Sequence, residues 1–141
     1  MDPTVWGPHL WMIMHTLSFN YPKNPTHKER DAYYIFFNNL KEVIPCSACR
    51  EHYKLFFHKE PIQNSLDTRD SLVLWVLKCH NNVNKLNNKL EWTKEELFDY
   101  YKKIFDKEIQ YQYGDRFIES IKNYIIILLL FMLIISVCYR K

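Results

Sequence analysis

The stretch SLVLWVLKCHNNVNKL, residues 71–86, decides the fold class. Its apolar side chains recur at steps of three or four residues, at Leu72, Trp75, Val76, Cys79, Val83 and Leu86. This spacing places them on one face of an α-helix, because a helix completes a turn every ~3.6 residues. Either Asp67 or Thr68 can supply the N-terminal cap. The stretch therefore predicts a long helix whose apolar face packs against other helices.

Helical periodicity extends along the chain on both sides of this stretch, and no convincing strand appears. Thr26 with Glu29, and Thr93 with Glu96, each form a capping box, which marks the start of a helix. The first helix is expected to begin with Pro8 at its first position. The expected helices cover residues 8–19, 26–44, 46–58, 68–86 and 93–114. The predicted fold class is all-α, a four-helix bundle plus a short fifth helix.

Composition excludes several functional classes. The chain has 141 residues but only two glycines, which disfavours glycine-rich phosphate loops and turn-rich β architectures. The formal charge is +3 and the basic residues are scattered, so no nucleic-acid partner is predicted. The amino end lacks a basic segment followed by an apolar run, so no cleaved signal peptide is expected.

The carboxyl end carries the charge-free run YIIILLLFMLIISVCY, residues 124–139. A helix from Lys122 to Arg140 would span roughly 27 Å, and basic and tyrosine side chains at its ends can match it to a bilayer core of roughly 30 Å. We expect a globular domain over residues 1–115, a linker over 116–123 and a C-terminal transmembrane helix over 124–141. The alternative is a buried core helix.

The segment VIPCSACREHY holds Cys46 and Cys49 at the expected start of a helix. One interpretation is a zinc site that adds His52, Cys79 and His80, in a non-enzymatic helical adaptor on a membrane, although the second pair is adjacent rather than spaced. A thioredoxin-like site would need a preceding strand, and none is predicted. The third interpretation is a redox dithiol, because a helix N-terminus favours thiolate. Net disulfide formation would then require a cofactor such as a flavin to remove two electrons.

Two further clusters suggest a ligand held between helices. Gly7, Trp11 and His15 recur every four residues on one helical face. A second, polar cluster contains His80, Asn81, Asn84, Lys85, Lys89 and Trp92. Asparagines this dense are unfavourable within a helix, which favours a polar ligand such as an adenine with its ribose-phosphate. The alternative is that the tryptophans are ordinary core and the asparagines end the helix.

Taken together, and in this order, three elements resemble the ALR/Erv family of FAD-linked sulfhydryl oxidases. They are W-G-x-x-x-W-x-x-x-H from Trp6 to His15, C-x-x-C at Cys46 and Cys49, and H-N-x-x-N from His80, with a following lysine. The resemblance covers roughly residues 5 to 110, and the small versions encoded by large cytoplasmic DNA viruses look most similar. It implies a helical bundle that binds FAD, so that residues 1–115 would be the FAD-binding sulfhydryl oxidase domain.

The resemblance also implies roles for individual residues. Cys49 would be the flavin-proximal thiolate and Cys46 the thiol that exchanges with substrate. Gly7 would allow the first helix to approach the cofactor closely. The remaining implied cofactor-binding residues are Trp11, His15 and His80 at the adenine and ribose, Asn81, Asn84, Lys85 and Lys89 at polar and phosphate groups, and Tyr53 and Trp92 beside the flavin. No metal is implied.

The implied activity is FAD-dependent thiol oxidation that forms disulfide bonds in partner proteins and passes electrons to dioxygen, giving hydrogen peroxide. A small thiol/disulfide relay protein is the expected electron donor, because neither Cys79 nor Cys138 can obviously form a shuttle pair. Cys79 is instead expected to be a buried apolar residue. A homodimer is expected. The anchor would hold the protein on a membrane of the host cytoplasm or the virion, with the oxidase domain cytosolic.

Overall fold

The computed structural model describes residues 1–106 and 121–127, and these residues form helices and no strand. The first four α-helices are α1 Pro3–Asn20, α2 His27–Val43, α3 Ser47–Lys59 and α4 Arg69–Leu86. A short 3-10 helix, Ile62–Ser65, joins α3 to α4. Residues 94–106 and 121–127 are also helical. The all-α prediction is confirmed, while the predicted end of the fifth helix at Gly114 lies outside the described residues.

The first helix begins five residues earlier than predicted, at Pro3 rather than Pro8. The Asp2 side chain caps it by accepting a hydrogen bond from the Thr4 backbone N–H at 2.8 Å. Asp2 followed by Pro3 is itself a start signal, since proline at the first helical position lacks only an N–H that would have no partner there. Pro8 lies inside the helix. The predicted start at Pro8 was therefore wrong, because the first proline rather than the second begins the helix.

The other helix starts follow the predicted capping residues. At the start of α2, Thr26 N–H donates to Glu29 Oε2 at 2.8 Å and Glu29 N–H donates to Thr26 Oγ1 at 3.3 Å. Thr68, one of the two expected residues, caps α4. Thr93 N–H donates to Glu96 Oε2 at 2.8 Å at the start of helix 94–106. Each reciprocal pair satisfies backbone N–H groups that the helix leaves without partners.

An aromatic core forms around Trp75 on α4. Its ring centroid lies 5.5 Å from that of Phe37 on α2, and 5.4 Å and 5.8 Å from those of Phe56 and Phe57 on α3. Its indole Nε1 donates to the Glu60 carbonyl oxygen at 2.8 Å. Helix α1 packs along α4, and α2 packs on α3. Trp75 thus joins three helices into the scaffold that positions the site.

The apolar stripe of α4 is buried over its first half. Leu72, Trp75, Val76 and Cys79 are buried, whereas Leu86, at the end of the helix, is 52 % exposed. The buried free thiol of Cys79 confirms the prediction for this residue, and burial raises its pKa. The inward face therefore narrows toward the C-terminal end of α4, where the polar cluster begins.

The chain divides into two compact units, Met1–Leu97 and Phe98–Lys141. The first unit contains every residue of the predicted site. Among residues 1–106 and 121–127, no helix combines the length and the apolar character needed to cross a membrane. Most of the predicted transmembrane helix, residues 128–141, lies outside the described residues.

Candidate functional site

The two cysteines of the C-x-x-C segment form a disulfide at the start of α3, with their Cα atoms 5.1 Å apart. Cys46 is the N-cap residue and has extended backbone angles, a conformation that the preceding proline allows. The Cys49 N–H points at the Cys46 sulfur, 3.2 Å away. Both cysteines are half-buried. The dithiol is therefore held by helix geometry but remains within reach of solvent.

This position suits thiol–disulfide exchange. The first N–H groups of a helix and its macrodipole stabilise a negative charge at the N-cap. Once both cysteines are reduced, a Cys46 thiolate can keep the Cys49 N–H as its donor. The thiolate is both the nucleophile and the leaving group in this exchange, so a position that stabilises it favours the reaction.

A second cluster joins α1 to the end of α4 through stacked rings. The Trp11 and His80 rings lie 4.2 Å apart with an interplanar angle of 12°. His15 Nε2 lies 3.1 Å from His80 Nδ1. The His15 side chain is fully buried, and Trp11 and His80 are half-buried. The sequence placed these residues in separate motifs, and the packing of α1 on α4 brings them together.

Burial keeps both histidines neutral. Loss of hydration lowers the pKa of His15 to about 3, and the nearby His80 adds to this effect. Loss of hydration also lowers the pKa of His80 to about 4, with a contribution from the Lys89 ammonium group. Two neutral imidazoles can share one hydrogen bond, with one ring donating and the other accepting. The cluster therefore presents a flat, uncharged surface at neutral pH.

These lowered pKa values predict a loss of stability in mild acid. The unfolded histidines take up protons below pH ~6.5, whereas the folded ones resist protonation down to about pH 4 and pH 3. Stability is therefore complete above pH ~6.5 and falls as the pH drops, by up to about 1.4 kcal/mol per pH unit for each group. Urea unfolding of the full chain between pH 7.5 and 5 measures this slope.

The matched variants are His80→Phe and His58→Gln. Phenylalanine at position 80 keeps a ring against Trp11 but cannot titrate, so we expect a shallower slope. His58 is exposed on α3, and its replacement should leave the slope as it is in the unmodified chain. An identical slope in the His80→Phe variant would show that this imidazole does not couple folding to pH.

The Asn81 side chain connects α4 to the segment that follows it by hydrogen bonds. Its side-chain Nδ2 donates to the Trp92 carbonyl oxygen, and its Oδ1 accepts from the Trp92 N–H, both at 2.8 Å. These two bonds hold the Trp92 ring 5.7 Å from that of His80. Asn81 is predicted to contact a ligand, and its amide also fixes the position of the Trp92 backbone.

The remaining polar residues lie at the C-terminal end of α4. Asn84 is buried, while Lys85 and Lys89 are exposed. The Lys89 backbone N–H donates to the Asn84 carbonyl oxygen at 2.8 Å. Asn88, at φ 54°, reverses the chain, as asparagine tolerates the left-handed region better than most residues do. The turn brings the Lys89 charge close enough to His80 to lower its pKa.

Three other residues from the motifs occupy different settings. Tyr53 is buried and donates its hydroxyl to the Phe37 carbonyl oxygen at 2.9 Å. A Cβ placed on Gly7 would meet no atom of the described residues within 4 Å. The neighbouring Trp6 has a buried indole Nε1 with no acceptor among the described residues. No binding role is predicted for Trp6 from its motif, and the burial of its Nε1 is evident only in the tertiary structure.

The zinc interpretation lacks an assembled ligand set in the part of the chain that the structure covers. Across residues 1–106 and 121–127, no three histidine, cysteine or acidic side chains are grouped as a metal site. Cys46 and Cys49 are bonded to each other, and His80 stacks on Trp11 while it faces His15.

Comparison with solved structures identifies the same arrangement of helices. The FAD-binding domain of Erv1 from Saccharomyces cerevisiae matches with a TM-score of 0.68 at 24 % identity, over 73 % of this chain and 96 % of that one. The yeast Erv1 core matches with a TM-score of 0.67 at 22 % identity, over 72 % of this chain and 85 % of that one. At this identity the likeness establishes the fold.

Comparison of sequences extends the likeness to named relatives. A probable FAD-linked sulfhydryl oxidase of Acanthamoeba polyphaga mimivirus is 34 % identical, over 84 % of this chain and 83 % of the relative. An FAD-linked sulfhydryl oxidase of African swine fever virus is 30 % identical, over 74 % of this chain and 82 % of the relative. The model of the Erv1 / Alr family matches residues 8–107, which include most of the compact unit Met1–Leu97. By fold, motif order and sequence, this chain belongs to the Erv1 / Alr family.

Proposed function

We propose that this protein is an FAD-dependent thiol oxidase that forms disulfide bonds in partner proteins. The observation that carries the proposal is the Cys46–Cys49 disulfide at a helix N-terminus, in a chain of the Erv1 / Alr family. Relatives from mimivirus and African swine fever virus are named FAD-linked sulfhydryl oxidases. The proposed redox residues are Cys46 and Cys49.

The aromatic and polar clusters fit a dinucleotide cofactor. Trp11 and His80 are already stacked at 4.2 Å, too close to admit a ring between them, so an adenine would lie against the outside of the stack. Lys85 and Lys89 can neutralise phosphates. The open space beside Gly7 and the buried Nε1 of Trp6 leave room and a donor for a ligand. We propose His15, Asn84 and Trp92 as further cofactor-binding residues, with Tyr53 supporting the flavin side.

The chain's own residues carry out the exchange of thiols. A substrate thiolate attacks the disulfide at Cys46, and Cys49 leaves as a thiolate. A second substrate thiol then displaces Cys46, so the substrate leaves with its disulfide and both cysteines are reduced. FAD, when bound, would supply the acceptor for the electron pair of this dithiol and the route by which that pair reaches dioxygen, giving hydrogen peroxide. Cys46 and Cys49 are then disulfide-bonded again.

An absorption spectrum of the purified full chain tests the proposal. We expect bound flavin bands in the visible range and peroxide formation when dithiothreitol is added in air. The flavin bands should bleach with dithiothreitol under nitrogen and return with air. A folded but colourless protein that forms no peroxide after incubation with FAD would refute the assignment.

Replacement of Gly7 by alanine should have opposite effects on folding and on cofactor binding. In the chain without cofactor, the added methyl group meets no atom of the described residues, and alanine in a helix is favoured over glycine by about 0.5–1 kcal/mol. The unfolding temperature without FAD should therefore stay or rise, while FAD affinity should fall by roughly tenfold or more because the methyl group occupies the ligand's space. Thermal unfolding and FAD titration measure the two effects.

A matched control is Pro8→Ala, which changes the exposed neighbouring residue. It should stabilise the helix as well, because proline inside a helix removes a backbone hydrogen bond, and it should leave FAD affinity within about twofold. Equal FAD affinity of Gly7→Ala and the unmodified chain would remove Gly7 from the cofactor site.

The location and partners of the protein are further parts of the proposal. The charge-free run of residues 124–139, flanked by Lys122, Arg140 and Lys141, supports a membrane anchor that leaves the oxidase domain in the cytosol, on a membrane of the host cell or the virion. A small thiol/disulfide relay protein would deliver electrons to Cys46. Carbonate extraction of membranes from cells that make the full chain distinguishes insertion from peripheral binding.

A homodimer is the proposed assembly state. Two helices expose apolar side chains that a partner copy could cover, with Ile13 on α1 at 50 % exposure and Ile35 on α2 at 55 %. Sedimentation of the full chain in detergent measures the mass. Ile13→Lys and Ile35→Lys should shift the chain toward monomer, because burying an unpaired ammonium group in an interface is costly.

A further inference from the structure

Arg50 makes two hydrogen bonds to the backbone that leads into the disulfide. Its side-chain Nη1 donates to the Ile44 carbonyl oxygen at 2.6 Å, and its backbone N–H donates to the Cys46 carbonyl oxygen at 2.9 Å. Ile44 is the C-cap residue of α2. The side chain of Arg50 thus reaches back from α3 across Pro45 to the end of the preceding helix.

This bond suits the C-terminal end of α2. The last carbonyl groups of a helix have no intrahelical partner, and a cationic donor there is favoured by the macrodipole. Ile44 itself is buried, and Arg50 is half-buried, so the hydrogen bond is partly shielded from water. A hydrogen bond that involves a charged group is stronger than one between two neutral groups.

The Arg50 hydrogen bond restrains the same segment in both the oxidised and the reduced protein. In the oxidised protein, the Cys46–Cys49 disulfide itself fastens Cys46 to α3. Once the disulfide opens, the segment of Ile44, Pro45 and Cys46 is held by its peptide bond to Ser47, by the packing of Ile44 in the hydrophobic core and by hydrogen bonds. The hydrogen bond from the Arg50 side chain to the Ile44 carbonyl oxygen ties the front of this segment, ahead of Pro45, to the helix that carries Cys49.

We propose that Arg50 is a positioning residue that holds the reduced Cys46 thiol in place for reclosure onto Cys49. This inference rests on the proposed thiol oxidase function, because only a dithiol that cycles needs to reclose. Fixing the two sulfur atoms near each other raises their effective concentration and so favours the disulfide. Loss of the Arg50 bond increases the conformational freedom of the segment in the reduced protein. In the oxidised protein the disulfide still restrains the segment, so the reduced state is favoured.

A purely electrostatic role for Arg50 has the opposite sign. If its charge acted only to stabilise the reduced thiolate, removal of the charge would favour the disulfide. If its hydrogen bond positions the segment, removal favours the open dithiol. The direction of the change in the equilibrium therefore separates the two roles.

The test is equilibration of the full chain with glutathione buffers under nitrogen, with the state of Cys46 and Cys49 read by alkylation and mass spectrometry. Closing the pair consumes one glutathione disulfide and releases two glutathione thiols, so electrons and protons balance. For Arg50→Met we expect the equilibrium constant for closing to fall about tenfold, which corresponds to about 1.4 kcal/mol. Arg50→Lys keeps the charge but loses the planar guanidinium group. Its equilibrium constant for closing should lie between those of Arg50→Met and the unmodified chain.

Lys54→Met is the matched control, because it removes a cation one turn further along α3, where Lys54 pairs with Glu51 at 3.1 Å. Its constant should stay within twofold of the unmodified chain. An Arg50→Met constant that is unchanged or raised, or an equal fall in Lys54→Met, would overturn the proposal. Circular dichroism of the oxidised variants checks the fold, and Arg50→Gln replaces any variant that does not fold. The measurement needs neither flavin nor oxygen. Its result can therefore be distinguished from a failure of the oxidase assignment, which the flavin spectrum and peroxide formation test.

Discussion

Replacement of Cys49 by serine should reduce peroxide formation from dithiothreitol by about a thousandfold or more, to the background of the assay. A serine hydroxyl cannot form the disulfide with Cys46 and is a far weaker nucleophile than a thiolate near neutral pH. The substitution replaces one atom at a half-buried position, so the fold should persist. Visible absorbance should also persist, because the aromatic and lysine residues proposed to bind FAD are unchanged. The measurement is peroxide release per bound flavin.

Cys79→Ala provides the control for a general effect of removing a thiol. Cys79 is buried and unpaired with any other cysteine, and burial raises its pKa, so it is not a reactive thiolate. Peroxide release by this variant should remain within about twofold, with a small loss of stability from the cavity. Normal turnover in Cys49→Ser, or its loss in Cys79→Ala with the fold and flavin intact, would contradict the assignment of the redox pair.

Replacement of Trp75 by alanine should destabilise the protein by about 3–5 kcal/mol. Trp75 is 2 % exposed and contacts the rings of Phe37, Phe56 and Phe57, so alanine would leave a large cavity among three helices. Because domains of this size are stable by about 5–15 kcal/mol in total, much of the margin would be lost. Urea unfolding of the full chain, followed by circular dichroism, measures the change.

Two variants separate the contributions to this effect. Trp75→Phe keeps an aromatic ring but loses the hydrogen bond to Glu60, and should cost less than Trp75→Ala. Leu74→Ala changes the adjacent side chain, which is 37 % exposed, and should cost about 1 kcal/mol or less. Similar losses for Leu74→Ala and Trp75→Ala would show that α4 does not depend on the aromatic core for its packing.

Local sequence signals were sufficient for the helices and the dithiol. The capping pairs Thr26 with Glu29 and Thr93 with Glu96 act over three residues, so they can be identified from sequence alone. The spacing of Cys46 and Cys49 likewise permits a disulfide within one helical turn. At the amino end two prolines, Pro3 and Pro8, could each mark the first position of a helix. The helix begins at Pro3, so the prediction of a start at Pro8 was wrong.

The sequence by itself determined an all-helical chain, a dithiol at a helix start and the residue types of a cofactor site, because these depend on contacts between near neighbours. Only the tertiary structure decided what those residues touch. His15 meets His80, 65 positions away, and the Asn81 amide forms hydrogen bonds with the Trp92 backbone. The reason is physical: the packing of α1 on α4 and the turn after α4 fix which side chains meet, and both depend on how whole helical faces fit together.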